Sequence, residues 1–174
     1  MTENQKPIFV TINSDAGFYH YDKIGSFAYW IRGNGVYLKG SGVFKKQVQS
    51  SWHAEMQAMI NALEALRMSK PPPIIGFIFN RDNINARSGK KNPLRAMLKK
   101  SIVKFKTDAI SRLGAKKFKE LTAKQKEYAI FRHVKGHSDV DDKRSFVNRW
   151  CDDQCTMRLR EWKAKKKQQN FEAK

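Results

Sequence analysis

Residues 132–153 read RHVKGHSDVDDKRSFVNRWCDD, and their order decides the fold. The run from Tyr128 to Val134 is apolar and β-rich, as a strand requires. It hands His137 to a polar loop behind Lys135 and Gly136. Asn148 then opens a predicted helix on which Asp152, at i+4, shares its face, while Asp153 turns away toward solvent or a supporting role. A histidine on a loop and a carboxylate on the following helix suit metal-assisted chemistry on phosphate.

Outward from that stretch, the chain alternates between the two periods of regular structure. Ile8-Phe9-Val10-Thr11-Ile12 predicts a strand that ends in a turn at Asn13-Ser14-Asp15-Ala16-Gly17. Two more strands, 25–32 and 36–44, meet at the hairpin signal Gly33-Asn34-Gly35. Ser50 and Ser51 offer an N-cap for a helix over 52–68, whose Met56, Met59, Ile60, Leu63 and Leu66 keep helical spacing. Pro71-Pro72-Pro73 stops it, and the apolar run 74–79 reads as a strand covered on both faces. A basic helical segment runs from Pro93 to a stop at Gly114, and Thr122-Ala123-Lys124-Gln125 has the pattern of a further capped turn of helix. Residues 163–174 read as a frayed basic tail. The order predicts an α/β domain over 1–174: a mixed sheet of three antiparallel strands and two parallel additions, with helices on both faces.

Three acids stand out beyond Asp152. Asp15 and Asp82 each follow a predicted strand, where sites form in such sheets. Asp82 is the only acid between Glu64 and Asp108. Glu55 shares a helical face with Met59, Ala62 and Leu66, which desolvates its charge. Converging carboxylates repel one another unless divalent cations neutralise them, and Mg²⁺ prefers such oxygen ligands. His133 and His137 with Cys151 and Cys155 offer a competing zinc set, but the two cysteines, at i,i+4 beside Trp150, equally suit a core.

These residues resemble the type 1 ribonuclease H family. The match lies in His53-Ala54-Glu55-Met56-Gln57-Ala58, in Val134-Lys135-Gly136-His137, and in Asn148-Arg149-Trp150-Cys151-Asp152. Ser14-Asp15-Ala16-Gly17 and Arg81-Asp82-Asn83 are similar to its two strand-end aspartates, so the likeness spans 7–158. It implies a ribonuclease H-like fold and cleavage of the RNA strand of RNA–DNA hybrids. It implies that Asp15, Glu55, Asp82 and Asp152 bind two Mg²⁺ ions, with Mn²⁺ as a substitute, and that His137 assists proton transfer. It also sets Ser51, Trp52 and Asn83 against the nucleic acid. Ser51 and Trp52 depart from the amides that often precede the family's glutamate, and Phe18-Tyr19-His20-Tyr21 replaces a glycine-rich turn.

Charge points the same way. Lys and Arg number 35 against 16 acids, a net +19, which implies a polyanionic partner, most economically nucleic acid. Residues 86–126 concentrate +12 of it, and Lys99, Lys100, Lys104 and Lys106 are its candidate phosphate contacts. No membrane anchor and no protein partner is indicated. The opening MTENQKPIF lacks a signal-peptide pattern, and two cysteines make no disulfide framework, so a reducing compartment such as the cytoplasm is expected. Two other readings fit the same residues: a related nuclease acting on DNA or structured nucleic acid, and a binding module without cleavage.

Overall fold

The computed structural model describes residues 6–81, 93–134 and 143–172. Strands β1 (Ile8–Tyr19), β2 (Ile24–Gly33) and β3 (Val36–Val43) form an antiparallel meander. Helix α1 (Ser51–Met68) leads into β4 (Ile74–Arg81), which lies parallel to β1. Helices α2 (Pro93–Leu113) and α3 (Ala115–Thr122) precede β5 (Ala129–His133), which is parallel to β4. Helix α4 (Lys143–Glu172) follows. The sheet order β3-β2-β1-β4-β5 gives the five-stranded mixed sheet that the sequence predicts. No described helix is long and apolar enough to cross a membrane.

The core sits mainly on one face of the sheet. Alternation along β1 turns Ile8, Val10 and Ile12 toward Met59, Leu63 and Leu66 of α1, with Phe77 and Phe79 of β4 beside them. Helix α2 seals this layer with Leu98 and Phe105. On the opposite face, Ala28 and Trp30 of β2 meet Val147, Cys151 and Cys155 of α4. Gly17 marks how closely α4 crosses β1. A Cβ there would lie 2.6 Å from Ser26 Oγ and 2.8 Å from a Leu159 methyl.

Several boundaries differ from the sequence reading. Asn13 to Gly17 form no turn, and Asp15 does not end a strand. The ladder to β2 holds every residue from Val10 to Tyr19, and the reversal comes at residues 20–23, where Lys23 takes a positive φ of 51°. Local turn chemistry loses there to a long antiparallel ladder. Ser50 is the N-cap of α1, its hydroxyl accepting from the His53 N–H, so Ser51 is the first helical residue. Thr122 ends α3 and starts no helix, because Phe118 is buried in the preceding turns and anchors that segment. Helix α4 begins at Lys143, five residues before Asn148, and continues through the supposed tail to Glu172.

Leu63 is 1% exposed at the centre of the layer between α1 and the sheet. Leu63→Ala is expected to lower unfolding free energy by roughly 2–5 kcal/mol in a urea titration, from lost transfer energy plus the cavity left behind. A change below about 0.5 kcal/mol, the level of an ordinary surface substitution, would contradict this packing.

Candidate active site

Asp15 and Glu55 come from different elements and are both buried, at 4% and 8% exposure. Asp15 lies on β1, two residues past Asn13, which pairs with Asn80 of β4. Its Oδ1 accepts the Ala16 N–H at 2.8 Å. Glu55 sits in the second turn of α1, among its buried positions. Carboxylates this desolvated cost several kcal/mol each unless positive charge or donors meet them.

Cys155 of α4 lies against Asp15 and feels the charge of Glu55. Its Sγ donates to the Asp15 main-chain oxygen at 3.3 Å, and the Ser26 hydroxyl donates to the Cys155 carbonyl at 2.8 Å. Burial pushes the Cys155 thiol pKa well above its ordinary value. Electrostatic interaction with Asp15, then Cys151 and Glu55, pushes it further, against a smaller opposing bond from Ser26. One sulfur thus senses a carboxylate from β1 and another from α1. Asp152, half-buried, stands three residues earlier on the same helix, which makes it a surface neighbour of Cys155 at about 5–6 Å between Cβ atoms.

A buried amide pair adjoins this group, and the sequence reading missed it. Asn80 Nδ2 donates to Asn13 Oδ1 at 2.9 Å, and Asn13 Nδ2 reaches the Trp30 carbonyl at 3.4 Å. Asn80 Oδ1 is buried and accepts no hydrogen bond. Asn148, also buried, opens the N-x-x-x-D element on α4. The only advance signal was an offset: Asn13 precedes Asp15 by two residues, as Asn80 precedes Asp82.

Carboxylates with amide oxygens are hard donors of the kind Mg²⁺ takes, and an orphaned buried acceptor is satisfied by a cation or its water. The residues present fit such an ion, although among the described residues no three His, Cys, Asp or Glu side chains form a metal-holding group. Asp82, Asn83 and His137 lie outside the described residues. The zinc alternative finds no support here. Cys151 and Cys155 are core residues under β2, whereas exposed His133 belongs to β5, three strand spacings or about 14 Å away. Asp153 is exposed.

The candidate nucleic-acid residues divide among several surfaces. Ser51 is exposed, while Trp52 packs partly into the core with its Nε1 buried and unpartnered. Lys99, Lys100, Lys104 and Lys106 are all exposed on α2 but do not share one face. Lys99 and Lys106 line a groove of about 440 Å³ between α2 and the β4–β5 edge, together with Arg81, Arg95, Tyr128 and Phe131. Lys104 lines a different groove, beside Arg67 and Asp108. In the first groove Arg81 stands 5.3 Å from the Phe131 ring, which stacks on Phe79 at 4.9 Å. Cations interleaved with rings are a nucleic-acid-binding pattern that the lysine count alone did not show.

No protein-family model matches the sequence, and no curated protein sequence matches it. Solved structures do. The chain is similar to LC11-RNase H1 in complex with an RNA/DNA hybrid, at 16% identity, 86% of this chain, 99% of that chain and a TM-score of 0.51. A second structure, LC11-RNase H1 isolated from compost by a metagenomic approach, aligns at 15% identity over 90% and 99% of the two chains, with a TM-score of 0.45. The first likeness, with the sheet order above, identifies a ribonuclease H-like fold.

The raised thiol yields a pH prediction. In the folded state Cys155 keeps its proton, whereas the unfolded thiol begins to release it near its ordinary value of 9.0. The folded state then binds more protons, so this contribution is complete below that pH and is lost as pH rises above it. Cys155→Ala is expected to flatten the stability loss between about pH 9 and 10.5 in matched urea titrations, relative to the unmodified protein. Identical slopes would mean that Cys155 ionises freely in the fold.

Proposed function

We propose that this protein is a metal-dependent nuclease that cleaves the RNA strand of RNA–DNA hybrids. The observation that carries the proposal is a pair of buried carboxylates, Asp15 on β1 and Glu55 on α1, whose charges both act on Cys155 of α4 on a ribonuclease H-like sheet. Burying carboxylates is costly to a fold, and a bound cation would relieve that cost. The similar structure's hybrid partner supports the choice of substrate. So does the +19 charge of the chain.

In this reading Asp15, Glu55, Asp82 and Asp152 would hold two Mg²⁺ ions, with Mn²⁺ as a substitute. When bound, such ions activate water as a nucleophile and stabilise the leaving oxygen. The protein supplies position and proton traffic. Asp15 is fixed by the Ala16 N–H and by a strand paired through Tyr19, so its carboxylate has little freedom to lose. Asn80 keeps a buried acceptor beside the acids and, through Asn13, ties β4 to β1. His137 exchanges a proton with the reacting phosphodiester or its product. Lys99 and Lys106, with Arg81 and Arg95, hold phosphates in the groove beside β4.

A second reading is favoured by Trp52. Packed against the core, it presents no amide to a ribose hydroxyl, so the same metal chemistry would act on duplex DNA. One comparison separates the two: Mg²⁺-dependent cleavage of matched hybrid, duplex DNA, duplex RNA and single strands. Selective cutting of the hybrid's RNA strand is expected. Preference for duplex DNA would replace the first reading with the second, and no cutting of any substrate would sink both.

Asp15→Asn and Glu55→Gln should each reduce cleavage by at least about 10³-fold, several kcal/mol of transition-state stabilisation, while stability holds or rises as repulsion falls. His137→Ala should slow the reaction by about 10²–10⁴-fold and leave it metal-dependent. The paired variant Lys99→Gln/Lys106→Gln should weaken hybrid binding and lower the log–log salt slope by about 0.9 for each phosphate no longer neutralised. Lys104→Gln, on the other groove, should change that slope less.

A further inference from the structure

The segment read as a frayed tail is the distal part of α4, and it is docked. Lys163 Nζ stands 3.5 Å from the centre of the Tyr19 ring, at the end of β1. Lys166 pairs with Asp22 in the β1–β2 turn and stands 5.2 Å from the Trp162 ring. The turn itself is a cluster of rings, with His20 and Tyr21 only 3.8 Å apart and Tyr21 77% exposed. Phe18 to Tyr21, where the family resemblance calls for a glycine-rich turn, therefore builds a mount for the helix.

The docked helix carries more positive charge than its mount needs. Residues 158–172 hold six Lys and Arg against Glu161 and Glu172. Arg158 pairs with Glu161, Lys166 with Asp22, and Lys163 sits on a ring. Arg160, Lys165 and Lys167 are exposed and form no ion pair among the described residues. Arg160 and Lys167, seven residues apart, share a face with Lys163. Like charges at such spacing destabilise a helix, and the last core residue of α4, Cys155, lies well before them. A fold gains nothing from holding an unneutralised row this rigidly. A polyanion would relieve it.

We infer that the distal half of α4, seated on the β1–β2 turn, is a second duplex-binding surface that grips phosphates of the hybrid away from the cut. This rests on the proposed function and extends it. Arg160, Lys165 and Lys167 lie 8, 13 and 15 residues beyond Asp152 on one helix, about 12–22 Å, which is the length of about four to seven base pairs of duplex. The surface should therefore matter only for substrates long enough to reach it.

The test pairs a hybrid of about 8 base pairs, which extends about four from a central cut, with one of about 24, which extends about twelve. Binding is followed by fluorescence anisotropy with divalent cations chelated, over a salt series, for wild type and for Arg160→Gln/Lys165→Gln/Lys167→Gln. Glutamine is nearly as good a helix former as the residues it replaces, and circular dichroism checks that α4 persists. For the long hybrid the triple variant should bind roughly 10-fold more weakly near 0.1 M salt, with a log–log slope lower by about one to three units. For the short hybrid the two proteins should agree, and cleavage of saturating short hybrid should be unchanged. Asp22→Asn, which loosens the mount, should weaken only the long hybrid. Equal slopes on the long hybrid, or equal losses at both lengths, would overturn this inference while leaving the proposed function standing. Wild type that neither prefers nor cuts hybrid of either length would overturn both.

Discussion

The site depends on the ladders on either side of β1. Among the described residues the parallel ladder toward β4 runs to Asn13↔Asn80, and toward β2 the antiparallel ladder runs on to Tyr19↔Ile24. Asp15 lies within that antiparallel ladder. It is held as firmly as a central strand residue. Side chains alternate across the sheet, so the same register that sends Ile8, Val10 and Ile12 into the α1 layer sends Asn13, Asp15 and Gly17 toward α4. A one-residue slip would bury the wrong set.

Crowding acids in that position is possible because their surroundings are built around negative charge. Cys155, the sulfur nearest the Asp15 main chain, stays a neutral thiol and adds no charge to the cluster. Asn13 and Asn80 supply neutral dipoles where a further acid would raise the repulsion. Gly17 lets α4 approach β1 closely, with Cys155 and Leu159 against it. These features are compatible with the divalent cation of the proposed function.

The positive charge is arranged in separate places. Beside β4 it lines a groove with rings, next to the strand that leads into Asp82. Along the distal part of α4 it lies on a helix anchored to the β1–β2 turn. Each surface has its own aromatic partner, Phe131 or Tyr19, so the cations are positioned and not merely distributed. Rigid placement of this kind reduces the ordering entropy that binding a phosphate backbone would otherwise cost.

By itself the sequence determined whatever depends on short-range periodicity. The 3.6-residue stripe of α1, with Glu55 set among its apolar positions, could be read directly, as could the continuous apolar run of β4 and the basic character of α2. Those patterns record which face of an element is buried, and a few neighbouring residues suffice to show it. The tertiary structure alone decided the rest. Asn13-Ser14-Asp15-Ala16-Gly17 has every local mark of a turn and is a strand because β2 pairs with it. Asn13 and Asn80 are 67 residues apart and meet only through the β1–β4 register. Lys99 and Lys104, five apart on one helix, face different grooves because of what packs beside α2. The end of α4 is helical because Tyr19 and Asp22, more than 140 positions earlier, hold it. Each of these outcomes is fixed by a partner distant in sequence, and local propensity is too weak to oppose it.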